Sequence, residues 1–181
     1  MVEAVAARHP FAWVDERSEG TLLAVLAVLG VVLSAALVRI GAPLVTDAAP
    51  SGIVSFEFAG SAAGARAILD SWTPLAREHA MLSLGLDYLY LAVYPAFISL
   101  ACVWTARRIA PRTGLALAWA VLLAAPLDAV ENAALVWMLV QGPGDAAAAV
   151  AWACALPKFA LVFAGLGYAA AGQVAARLFR R

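Results

Sequence analysis

Four ionisable side chains interrupt otherwise apolar stretches of this 181-residue sequence: Asp87, Asp128, Glu131 and Lys158. At the centre of a bilayer each would cost about 2.5–3.5 kcal/mol, so exposing all four to lipid would cost on the order of 10 kcal/mol. They are therefore expected to face one another, a cavity, or both. Carboxylates and an ammonium in a low dielectric can move protons or grip the polar end of a ligand, which makes these four the candidate catalytic groups. Three acids and one ammonium cannot all be charged cheaply there. Lys158 is expected to pair with one acid while another carries a proton, the group titrating together.

The spacing around these residues extends the set. Offsets of three and four put Asp128, Glu131 and Asn132 on one helix face, and the same offsets align Asp87, Tyr90 and Tyr94. Tyr88 points elsewhere. Proline accompanies each contribution, as Pro95, Pro126 and Pro157, and each removes a backbone hydrogen bond and can open its helix locally. The expected ligand-binding residues are Asp87, Tyr90, Tyr94, Asp128, Glu131, Asn132 and Lys158. No metal site is expected, because His9 and His79 lie outside the spans, and nothing calls for a cofactor. Cys102 and Cys154 are expected in opposite halves of the bilayer, too far apart for a disulfide.

Helices must position these groups. The chain is 65% hydrophobic and 13% charged, against about 45–50% and 25% in soluble domains. Four stretches, 21–40, 81–106, 114–140 and 148–172, are long enough to cross a hydrocarbon core of about 30 Å. Lipid offers a bare backbone no hydrogen bonds, so each must be helical. The expected fold is an all-α integral membrane protein, a four-helix bundle in which the four ionisable groups fall within about 10 Å in depth. Gly30 with Ser34, Gly165 with Ala169, and Gly167 with Ala171 read as close-packing pairs.

Arginines set the orientation. Arg8 and Arg17 lie in the segment 1–20, Arg107, Arg108 and Arg112 in the loop 107–113, and Arg177, Arg180 and Arg181 in the tail 173–181, whereas the loop 141–147 has none. The positive-inside rule then puts both termini in the cytoplasm. Acidic Glu3, Asp15, Glu16 and Glu19 argue against a cleaved leader. The Arg-rich, Ala-rich composition suggests a bacterial plasma (inner) membrane, and Trp13, Trp104 and Trp152 read as interface anchors.

The segment 41–80 is then an outer hood. Residues 53–58 read as a short extended strand between Gly52 and Gly60. Ser61 reads as the N-cap of a helix through Trp72 that places Ala65, Ile68, Leu69 and Trp72 on one face. Thr73 and Pro74 open a further helix running into the second span.

An acid followed by aromatics and a proline, here Asp87 to Pro95, in a four-span chain with an outer segment after the first span, loosely resembles the layout of the emopamil-binding sterol isomerases. The resemblance covers about half of the chain and rests on no specific motif. Asp128 and Glu131 depart from it, so it implies no sterol chemistry here.

Composition and pattern favour a binding module whose outward-facing intramembrane polar pocket, floored by Asp128, Glu131, Asn132 and Lys158, holds an amphipathic or lipid-like ligand. The alternatives are a membrane-embedded acid/base enzyme acting on a lipid-like substrate, and a structural or accessory subunit. Expected partners are membrane lipids, an amphipathic small molecule, and a second copy or a larger membrane complex. No stripe of Lys and Arg suits nucleic acid.

Overall fold

The computed structural model describes residues 9–178, without the side chains of 173 and 175–178. Glu3, Arg8, Arg180 and Arg181 lie outside the described residues, as does the side chain of Arg177. Helix α1 (Glu16–Gly41) begins where Asp15 Oδ1 accepts the amides of Arg17 at 3.1 Å and Ser18 at 3.0 Å, covering donors that an uncapped helix leaves bare. A 3-10 turn (Ala42–Leu44) ends it. Then follow α2 (Ile53–Glu57), α3 (Ala62–Ser71), α4 (Pro74–Ala106), α5 (Pro111–Leu122), α6 (Ala124–Gln141) and α7 (Asp145–Leu178).

Four stretches are long and apolar enough to cross a membrane: Glu16–Leu44, Pro74–Ala106, Pro111–Gln141 and Asp145–Gly172. The protein is a four-span helical membrane protein with charged side chains buried inside it. The third span is two helices rather than the one expected. Pro126 has no amide hydrogen to give the carbonyl four residues back, that of Leu122, and α5 stops at that residue. Leu123 closes α5 with a tight bond to the carbonyl of Ala120 before α6 begins. Pro95 and Pro157 are instead carried inside continuous helices.

The chain divides into two compact units, each drawing on all four spans. One comprises Met1–Gly30, Ala92–Ala125 and Lys158–Arg181, and the other Val31–Leu91 and Pro126–Pro157. In the first, Leu26, Ile98, Leu100, Val103 and Val121 are buried. A Cβ on Gly165 would lie 2.6 Å from Ile98 Cγ2 and 2.8 Å from Val121 Cγ2, so this close-packing glycine behaves as expected. Gly30 and Gly167 do not, since a Cβ on either would meet open space. Cys102 is buried here and its thiol donates to the Gly165 carbonyl at 3.5 Å, while Cys154 belongs to the other unit; both are free. Trp13 and Trp152 are exposed as anchors would be, but Trp104 is only half-exposed, its ring near Gly20.

The second unit is built around the hood. Leu44, Phe56, Ala65, Ile68, Leu69 and Trp72 form one core with Leu84 of α4 and Leu135 and Met138 of α6. Ser61 caps α3 by accepting the amide of Gly64 at 3.1 Å, and Asp145 at the start of α7 accepts that of Ala62 at 2.7 Å. The face predicted for this helix is the buried one. Thr73 Oγ1 accepts the amide of Ala76 at 3.2 Å, and α4 runs unbroken from there into the second span. Trp72 Nε1 donates to the Leu44 carbonyl at 2.9 Å, and His79 Nδ1 lies 2.9 Å from that of Ile40, tying hood and α4 to the end of α1.

The expected hood strand is absent: residues Ile53–Glu57 form α2, and no described residue is in a strand. A lone strand would have no neighbour to take its amides and carbonyls, whereas one helical turn satisfies them locally. Ser55 Oγ accepts the amide of Ser51 at 2.9 Å. The turn also points Phe56 into the core, where its ring meets that of Trp72 edge-on with centroids 5.3 Å apart. Packing overrode the β-branched and aromatic composition of the segment.

Candidate functional site: an amphipathic cavity

The second unit holds a cavity of about 550 Å³, a size typical of small-molecule sites. The end of α1 and the turn after it supply apolar wall, including Leu37, Val38 and Val45. The hood adds Ile53 and Val54 together with Glu57, and α4 adds Leu84 with Ser83 and Asp87. From α6 only Asn132 reaches the lining. The result is an apolar space with a few polar groups in its wall.

Helical spacing explains how those groups arrive. On α6 the stripe Asp128, Glu131, Asn132, Leu135 and Met138 is buried, while Val130, Trp137 and Val140 on other faces are exposed. The shared face read from the sequence is therefore real. Asn132 Nδ2 donates to Asp87 Oδ2 at 2.6 Å, joining α6 to α4. Tyr90, one turn beyond Asp87, accepts the Ser34 hydroxyl at 3.0 Å, and Tyr88 donates to the Ala129 carbonyl at 3.2 Å. The first span, which carries no intramembrane charge of its own between residues 21 and 38, thus contributes a hydroxyl and much of the cavity wall.

Of the predicted set, Asp87 and Asn132 line the cavity. Asp128 and Glu131 are buried in the same unit, on the face that carries Asn132, but are not lining residues. Tyr90 lies in this unit beside Ser34. Tyr94 and Lys158 belong to the other unit, where Lys158 is buried with its ammonium 4.9 Å from the Phe159 ring centroid.

Two buried polar residues of the lining were not anticipated as such. Glu57 is buried and reaches the cavity from α2, and Ser83 is buried on α4. Both left a signal: Glu57 is an acid inside an apolar run, and Ser83 sits four residues before Asp87, hence on its face.

A second ionisable group lies in the first unit and was also missed. Glu19, on the first turn of α1, is fully buried. Arg107 Nη2 lies 2.8 Å from one of its oxygens and 3.0 Å from the other, and His9 Nε2 is 3.7 Å away. His9 Nδ1 accepts the amide of Phe11 at 3.2 Å, which requires the ring proton to sit on Nε2. Burial holds the pKa of His9 below its ordinary value, and Arg107 pushes the same way, outweighing the pull of Glu19. Close approach to an acid does not make this histidine a cation. In sequence the three residues are scattered, and Arg107 resembles any loop arginine.

Compared with family models, with curated proteins and with solved structures, the chain matches none.

Proposed function

We propose that this four-span membrane protein binds an amphipathic or lipid-like molecule in the cavity of the Val31–Leu91 and Pro126–Pro157 unit. The observation that carries the reading is the cavity itself, apolar along α1, the hood and Leu84, and polar where Asp87 meets Asn132. Apolar wall takes the body of such a ligand, and the few fixed polar groups orient its head. Asp87 and Asn132 are the contact groups. Asp128 and Glu131 stand on the same helical face as Asn132, and Tyr90 braces α4 against Ser34. The arginine distribution supports both termini on the cytoplasmic side, with surrounding lipid as the source of the ligand.

The test is mass spectrometry of small molecules that co-purify with the full chain. Val54→Trp, which puts an indole into the cavity, should reduce a specific co-purifying species severalfold while the protein stays folded. An unchanged complement of bound species in folded Val54→Trp protein would sink the reading.

A further inference from the structure

The segment before α1 is held by a hydrogen bond that a single proton can abolish. Residues 9–14 make turns rather than helix: the Ala12 amide donates to the His9 carbonyl at 3.1 Å and that of Val14 to the Phe11 carbonyl at 2.9 Å. Between them the Phe11 amide donates to His9 Nδ1 at 3.2 Å. The imidazole stands here where an aspartate or asparagine oxygen often takes the amide two residues on. His9 is 4% exposed and Phe11 8%, so a Phe11 amide left without its acceptor would be costly.

A neutral imidazole accepts at one nitrogen and donates at the other, whereas an imidazolium donates at both. A proton added to His9 therefore sets an N–H against the N–H of Phe11. The charges packed around the ring do not repair this. Glu19 and Glu16 on α1 favour the imidazolium, but Arg107, just past the end of α4, repels it and already reaches both oxygens of Glu19, at 2.8 and 3.0 Å. Burial outweighs the attraction and keeps the pKa of His9 below its ordinary value. Asp15, at the end of the segment, is held below the usual carboxylate range by hydrogen bonds from Ser18, so it stays ionised where His9 titrates. The geometry points to an acid-released strap: protonation of His9 at Nδ1 breaks its bond to the Phe11 amide and frees residues 9–14 from Glu19 and the first turn of α1, while the four spans stay folded.

Amide hydrogen exchange of the full chain in maltoside micelles tests this at about pH 7.5 and about pH 5, either side of the ordinary histidine value. Exchange is expressed as protection, which removes the intrinsic effect of pH. Protection of the Phe11, Ala12 and Val14 amides should fall about tenfold or more at the lower pH, the factor expected when one buried donor loses its partner. That of Leu26, inside α1, should hold. His9→Asn puts a side-chain oxygen where Nδ1 stood and takes up no proton, so its strap should stay protected at both values. His9→Leu offers no acceptor, and its strap should be open at both. Unchanged protection in the unaltered protein, an equal fall in His9→Asn, or a fall shared by Leu26 overturns the strap. So does full protection in folded His9→Leu at the higher pH; if that variant does not fold, the unaltered protein and His9→Asn decide.

Discussion

Replacing Arg107 by methionine should destabilise the protein far more than replacing its partner Glu19 by glutamine. The Glu19 side chain is 1% exposed and the Arg107 side chain 23%, and their closest approach is 2.8 Å. Unit charges at that distance attract by roughly 6 kcal/mol at an effective dielectric constant of about 20, most of it offset by taking the carboxylate out of water. Arg107→Met leaves that desolvation in place without the attraction, and breaking a buried pair in this way costs about 3–5 kcal/mol. Burial, the largest influence on the pKa of His9, opposes its taking over the role of Arg107 at neutral pH. Glu19→Gln leaves a guanidinium that already reaches solvent and can turn further toward it, so about 1–2 kcal/mol is expected. The double variant should regain part of what Arg107→Met loses, because no buried charge is then left. Reversible unfolding of the four proteins in mixed micelles measures the cycle. Equal losses from the two single variants, or a loss under about 1 kcal/mol for Arg107→Met, would refute the account of an anion held in place by its partner.

Further outcomes follow from the same geometry. His9 has a lowered pKa in the folded protein, so the unfolded chain binds its proton first as pH falls. Its contribution to stability is present above the ordinary histidine value and is lost as pH drops through the folded one, and His9→Asn should flatten the stability profile between about pH 7 and pH 5. Gly165→Val should cost about 1–3 kcal/mol by forcing side-chain atoms into Ile98 and Val121, whereas Gly167→Ala, facing open space, should gain about 0.5–1 kcal/mol in helix propensity; Tm in detergent separates them. Ser61→Ala should cost about 1 kcal/mol through the lost cap on Gly64, and hydrogen exchange should report it as faster opening of α3 before any other helix.

The buried stripe of α6 was legible because a helix has one period: once Asp128 is on the inner face, Glu131 and Asn132 must follow it. The faces of α3 and the cap at Ser61 were legible for the same local reason. Residues 53–58 misled because their composition favours a strand, while the choice between strand and helix there depends on whether a neighbouring strand exists to pair with. The break before Pro126 was foreshadowed as a local opening, but a proline alone does not say whether its helix continues, as Pro95 and Pro157 do.

What the sequence determined by itself is everything that follows from solvent and period: four apolar spans that must be helices in lipid, charges that must be buried within them, and which residues share a face. Only the tertiary structure decided which polar groups border open space. Asp87 and Asn132 do, Asp128 and Glu131 do not, and Glu57 joins them from a hood segment far away in the chain. The same holds for His9, Glu19 and Arg107, which meet across long stretches of sequence. The physical reason is that burial in lipid is set by each residue's own transfer free energy, whereas a cavity is the volume that several elements leave unfilled between them, and no single segment encodes it.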